Sequence, residues 1–214
     1  MPVRVKFCGL TTAEDAAAAV DAGASYVGAV FAGGPRLVAA KTARDNFAAL
    51  DKRVHRVGVF GPDAVAHAAH VAVVVGLDVI QLHGDPRPSD VLAARARFGG
   101  KIWAAARIEG SLLPEWSEGL FREADAVLLD AHVAGRLGGT GRTLDWSAIG
   151  RSLDDLRGAT TLVLAGGLSP ANVAQAISIV APDVVDVSSG VERSPGQKDH
   201  EQMRAFVRAV REAV

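Results

Sequence analysis

A single cysteine, Cys8, stands in 214 residues. The chain therefore holds no internal disulfide, and its stability must come from a packed core. Aromatic residues are scarce at 5%, and the hydrophobic 49% comes mostly from Ala, Val and Leu. That composition argues against disorder and suits buried parallel strands packed on alanine-lined helices. No apolar run approaches the roughly 20 residues that a helix needs to cross a bilayer, which excludes a helical membrane span. The first residues lack the longer apolar core and small-residue cleavage site of a secretory signal. With the lone thiol, this makes a cytoplasmic location the expectation. An excess of one charge is also missing, since 23 basic and 24 acidic residues leave a net charge of −1. The chain as a whole has no electrostatic reason to bind nucleic acid or an anionic membrane, and neither is expected as a partner.

What is present is an alternation of strand-like and helical runs. Val3–Phe7 precedes a helical run at Ala13–Ala22, with Thr11 or Thr12 available as its cap. Strands at Tyr26–Phe31 and Val54–Phe60 flank a helix at Ala43–Leu50, and Pro62 opens the third helix where its missing N–H does no harm. Asp78–Leu82, Lys101–Arg107 and Asp125–Leu129 are the next strands, separated by helices at Pro88–Phe98 and Leu112–Arg122. Thr161–Ala165, Pro170–Val180, Val184–Val187 and Asp199–Ala213 complete eight pairs. Such alternation implies right-handed βαβ units and a parallel sheet. The count alone fits a closed barrel or an open doubly wound sheet. An open dinucleotide fold would carry GxGxxG after its first strand, whereas Cys8-Gly9-Leu10-Thr11 occupies that turn. The expected fold is α/β, a single (β/α)8 TIM barrel of eight parallel strands forming one catalytic domain over residues 1–214.

In such a barrel, residues at the carboxyl ends of the strands converge on one mouth. Cys8 follows the first strand and Asp130 the sixth, so the two can form an acid/base pair. Taken singly, Cys8 also suits a small buried apolar position and Asp130 a loop-capping carboxylate. Gly166 and Gly167 follow the seventh strand; Ser188, Ser189 and Gly190 follow the eighth. Loops at those two places commonly hold a phosphate, because glycine admits close backbone approach and free N–H groups donate to the anion. A phosphorylated ligand is expected. The 131–143 segment is longer than a routine connection, and its Gly138, Gly139, Thr140 and Gly141 suggest a lid that closes over substrate. That run lacks the GxxxxGK[ST] spacing of a nucleotide-hydrolysing loop. His67 and His70 are helix-surface residues with no third ligand near in sequence, so no metal site is expected.

Five motifs in order, Val5-Lys6-Phe7-Cys8-Gly9-Leu10-Thr11, Gln81-Leu82-His83-Gly84-Asp85, Leu129-Asp130 with Gly138–Gly141 and Asp145-Trp146, Ala165-Gly166-Gly167-Leu168, and Asp186 through Glu192, span nearly the whole chain. Together they resemble the phosphoribosylanthranilate isomerases of tryptophan biosynthesis. That resemblance implies an Amadori rearrangement of N-(5-phosphoribosyl)anthranilate on a (β/α)8 barrel with no metal or organic cofactor. It makes Asp130 the general acid and Cys8 the general base. It sets Arg36 against the anthranilate carboxylate, although the Phe31–Arg36 loop is one residue shorter than the family pattern and carries Gly33-Gly34. His83 and Asp186 become substrate-binding candidates. A hydrogen bond to nearby backbone for His83, and a structural one for Asp186, stay open beside that role. The implied partner is a small phosphoribosyl molecule and the assembly a monomer or homodimer. Two rivals stand: a histidine-pathway isomerase, whose pattern is two aspartates and not Cys8, and a non-catalytic phosphosugar binder, which would need neither Cys8 nor Asp130.

Overall fold

The computed structural model describes residues 2–108, 113, 115–131, 146, 149, 153 and 158–213. Eight parallel strands close into a barrel in sequence order: β1 Arg4–Phe7, β2 Tyr26–Val30, β3 His55–Phe60, β4 Val79–Leu82, β5 Lys101–Ile108, β6 Ala126–Ala131, β7 Thr161–Leu164 and β8 Val184–Val187. Closure comes from pairing of β1 with β8, where Lys6 stands opposite Asp186 and Phe7 opposite Val187. Helices α1 Ala13–Ala22, α2 Ala40–Phe47, α3 Val65–Val75, α4 Pro88–Arg95, α5 Glu118–Glu123, α6 Val173–Val180 and α7 His200–Glu212 lie outside the strands. A two-stranded antiparallel ribbon, β9 Glu192–Ser194 and β10 Gln197–Lys198, stands between β8 and α7. No helix among the described residues is long and apolar enough to cross a membrane.

Local chemistry explains several boundaries. Thr12, not Thr11, caps α1, its hydroxyl accepting from the Asp15 N–H at 3.1 Å, while the Thr11 hydroxyl donates to the Gly196 carbonyl. Asp199 caps α7 by accepting from the N–H groups of Glu201 and Gln202. The second helix lies about one turn earlier than the sequence pattern places it, because Ala43 and Phe47, four apart, are the residues that reach the core. Pro62 opens a short 3-10 turn, Pro62–Ala64, and the α-helix proper begins at Val65. Within the span expected as a helix at Leu112–Arg122, the described residues form a 3-10 turn, Glu115–Ser117, followed by the short α5.

Side chains two apart on a strand share a face, and the barrel uses that alternation to build two cores. The larger one lies between strands and helices, with Phe7, Ile80, Ile102, Leu129 and Leu164. The other fills the barrel: Tyr26, Val57, Val79, Trp103, Ala105, Ala126, Leu128, Val163 and Val184. Following the interior parity upward leads from Val79 to Gln81 and His83, from Leu128 to Asp130, and from Val184 to Asp186 and Ser188. On β1 the same parity joins Lys6 to Cys8. The chemistry of the mouth is thus the interior pattern with polar residues in its upper layers.

Candidate active site

Cys8 and Asp130 enter the mouth from opposite arcs of the ring, since β6 stands three strands from β1 by way of β7 and β8. The surroundings of the two differ. Cys8 is buried in the first turn above β1, its N–H bonded to the Val187 carbonyl at 2.9 Å. Burial pushes its thiol above the ordinary range, the nearby Asp186 carboxylate adds to that, and the ammonium groups of Lys6 and Lys198 pull the other way. Directly below, Lys6 is fully buried and its Nζ pairs with Asp186 Oδ2 at 2.8 Å. Burial works against the Lys6 charge, but Asp186 and Cys8 together outweigh it and leave the ammonium above its usual value. The second oxygen of Asp186, Oδ1, is buried without a hydrogen-bond partner. The structure thus gives Asp186 an ion pair and leaves one oxygen for something else.

Asp130 is partly exposed and lies 3.6 Å from Nε2 of His83. That separation is too long for a hydrogen bond, and the imidazole is neutral near neutral pH. Burial, then the charges of Arg107 and Lys6, lower the His83 pKa to about 4. The main-chain N–H of His83 donates to the Phe60 carbonyl at 2.7 Å, whereas its ring Nδ1 is buried with no partner. A side chain tied to nearby backbone, one of the two sequence readings for His83, is therefore not what forms among the described residues. Arg107 stands beside it with Asp85, Nη1 to Oδ2 at 3.8 Å.

Two glycine-containing turns cover the β7 and β8 ends. Gly166 and Gly167 both have positive φ, 86° and 66°, a pair of left-handed positions that glycine alone takes without strain. The Asn172 side chain fixes this turn, its amide donating to the Gly167 carbonyl and its oxygen accepting from the Ser169 N–H. Ser188 leads into a 3-10 turn, Ser189–Val191. A side chain on Gly190 would run into the Leu168 carbonyl, so the two turns pack directly on each other. The N–H groups of Gly166, Gly167, Ser189 and Gly190 have no backbone acceptor among the described residues, and they are the donors an anion would need.

Arg36 comes over the mouth from the loop after β2. Its aliphatic stem rests on Gly9, where a side chain would run into it, so this is not a surface arginine. Its Nε and Nη2 donate to Oε1 and Oε2 of Glu192 at 2.8 and 2.7 Å, a two-pronged pair. Glu192 also accepts from Lys198 Nζ at 2.8 Å, and Lys198 donates to the Ser188 carbonyl at 3.1 Å. Ser188 closes the chain by donating from its hydroxyl to the Cys8 carbonyl at 3.1 Å. Burial works upward on Glu192, but Arg36 and Lys198 outweigh it and hold the carboxyl below its usual value. With its side fork used, Arg36 keeps Nη1 for a ligand. Among the described residues, no group of three or more His, Cys, Asp and Glu side chains gathers that could hold a metal ion.

A family model described as N-(5'phosphoribosyl)anthranilate (PRA) isomerase matches residues 5–209. The chain belongs to this phosphoribosylanthranilate isomerase family. A curated relative from Pseudomonas fluorescens (strain Pf0-1), named N-(5'-phosphoribosyl)anthranilate isomerase, is 42% identical, with 98% of each chain covered. The solved phosphoribosylanthranilate isomerase of Thermotoga maritima is 36% identical over 98% of this chain and 99% of its own, with a TM-score of 0.86. Another solved phosphoribosylanthranilate isomerase, in complex with reduced 1-(o-carboxyphenylamino)-1-deoxyribulose 5-phosphate, is 35% identical with a TM-score of 0.83 and covers 98% of this chain and 99% of its own.

Within this isomerase barrel the structure brings Cys8, Asp186, Ser188 and Arg36 into one network and His83 and Asp130 into a second group. The expected lid, Gly138, Gly139, Thr140 and Gly141, lies outside the described residues. Sequence reasoning passed over Lys6, Glu192 and Lys198. Lys6 had a signal, a charge two residues before Cys8 in an otherwise apolar strand and so on the same face. Glu192 closes the fifth motif with nothing to mark its role, and Lys198 had no signal, because the ribbon that carries them is too short and polar to read as strands.

Proposed function

We propose that this chain catalyses the Amadori rearrangement of N-(5'-phosphoribosyl)anthranilate to 1-(2-carboxyphenylamino)-1-deoxyribulose 5-phosphate, with Asp130 as acid and Cys8 as base. The observation that carries the reading is the contrast of settings at one mouth. A carboxyl on β6 beside a neutral imidazole shares the mouth with a thiol on β1 beside an ammonium, and N–H groups above β7 and β8 have no backbone acceptor among the described residues. Protonated Asp130 gives its proton to the ribose ring oxygen, the C1–oxygen bond breaks, and the anthranilate nitrogen supplies the electrons for the resulting Schiff base. The Cys8 thiolate then takes the C2 proton, and the C2–H electrons form the enolamine. The proton of the 2-hydroxyl ends on C1 as the ketone forms, and the proton held on sulfur returns to Asp130 through solvent. Atoms and charge balance with no redox partner.

The substrate's ends match the rest of the mouth. The phosphate suits the turns of Gly166, Gly167, Ser188, Ser189 and Gly190, and the anthranilate carboxylate suits the remaining edge of Arg36. Asp186 Oδ1 and the His83 ring face the ribose. The test is the loss of anthranilate-type fluorescence when freshly made substrate meets the purified protein, with Asp130→Asn and Cys8→Ser run alongside. Turnover by the parent and a loss of roughly 10² to 10⁴-fold in each variant is expected. A parent that binds phosphosugar but does not turn over refutes the reading.

A further inference from the structure

A lysine buried inside a barrel is expensive, and a single ion pair does not explain it, since apolar residues of similar volume are often as stable or more so. Lys6 has no solvent exposure and one carboxylate at 2.8 Å, and that carboxylate keeps its other oxygen unpaired. A purely structural pair would be expected to close on itself. Here one carboxylate oxygen stays open. A Cβ at position 28 would lie 3.3 Å from the Cys8 sulfur and 3.5 Å from Lys6 Cε, so the glycine on β2 leaves the space in which the lysine stem and the sulfur approach. Lys6 and Cys8 also stand two residues apart on the interior face of β1, so the ammonium and the sulfur act on each other's charge there.

We propose that Lys6 is a positioning residue for the base: its ammonium is shared between Asp186 and the Cys8 sulfur, and it carries the counter-charge of the thiolate. This rests on Cys8 being the base. The charged groups facing the sulfur are Lys6 on its own strand, Asp186 on β8, Lys198 on β10 and Arg36 from the loop after β2. Lys198 and Arg36 are both committed to Glu192, which leaves Lys6 as the cation whose attraction is divided between a carboxylate and the thiol. Asp186 therefore tempers Lys6. Removing one partner or the other must move the thiol in opposite directions.

Cys8 is the only cysteine in the chain, so its titration is read without background, by ultraviolet thiolate absorbance and by the pH midpoint of iodoacetamide labelling. Lys6→Met is expected to raise the midpoint by about one unit, a roughly tenfold smaller thiolate fraction at fixed pH. Asp186→Asn is expected to lower it, and Lys6→Arg to restore it toward the parent value. The double variant Lys6→Met/Asp186→Asn buries no unpaired charge, so it serves if the single one fails to fold. Its midpoint should stand above the parent's. Shifts in the same direction for Lys6→Met and Asp186→Asn, or no shift in the double variant, overturn the proposal. Because the thiol titration needs no substrate, the two readings fail separately. An active parent whose thiol ignores Lys6 sinks only this inference. A responsive thiol in a chain that does not isomerise the substrate sinks the function and with it the catalytic part of Lys6, while the hold of the ion pair on the thiol stands.

Discussion

His83 should make the protein acid-sensitive at a pH where most carboxylates are still ionised. Its imidazole has an ordinary pKa near 6.5 in the unfolded chain and about 4 in the folded one. The unfolded state therefore binds an extra proton between those values, and stability rises with pH across that window. The contribution is complete above pH 6.5, is lost steadily as pH falls, and stops falling below about pH 4. At about 1.4 kcal/mol per unit the ceiling is about 3 kcal/mol. The ring is 24% exposed, so solvent screening brings the expected value to about 1–3 kcal/mol. The Asp186 and Asp85 carboxylates oppose the shift by favouring a charged ring. Burial together with Arg107 and Lys6 outweighs that pull. The assay is urea unfolding followed by far-ultraviolet circular dichroism at a series of pH values, for the parent and His83→Gln. The difference between the two isolates His83 from every other titrating group. Parallel pH profiles would refute the reasoning, as would an imidazole proton resonance that moves in the folded state near pH 6.5.

Two further outcomes test the mouth. Glu192→Gln removes the charge that grips Arg36 and Lys198. Charge-assisted bonds are worth about 1.5–3 kcal/mol, so KM should rise roughly ten- to hundredfold while kcat changes less; an unchanged KM would mean that Arg36 holds its place without Glu192. Gly190→Ala forces the two phosphate turns apart at the Leu168 carbonyl. An overpacking cost of about 1–3 kcal/mol should lower Tm by several degrees, and calorimetry should find product binding weakened at least tenfold. Unchanged Tm and affinity would show that the turns separate freely.

The strands were legible because parallel strands buried on both faces are short apolar runs such as Val127-Leu128-Leu129 and Ile80-Gln81-Leu82, whereas closure into a barrel had to be read from the loop chemistry after β1. Helix limits were less so. In α2 a single apolar residue per turn fixes the inner face, and the run of Ala and Lys before it leaves the start open. The candidate site was legible where a reactive residue follows a strand, as with Cys8 and Asp130. It was not legible where the residue's work depends on what it meets from afar. Arg36 and Glu192 are 156 residues apart, and Lys6 and Asp186 are 180 apart, so only barrel closure brings them together. Asp15 and His200, at 2.7 Å, tie α1 to α7 in the same long-range way.

The bonds that run from Arg36 through Glu192 and Lys198 to Ser188, and from Ser188 to the backbone of Cys8, behave as a caliper. Its jaws are the arginine and the phosphate turns, and the gap between them is set by short, partly buried bonds instead of by loop flexibility. In the proposed function, a ligand whose carboxylate and phosphate stand at the right separation fills both jaws with its ribose over the thiol. A longer or shorter one can satisfy only one end and leaves its C2 hydrogen out of line. Selectivity would then be a matter of gauge, read over the whole molecule at once.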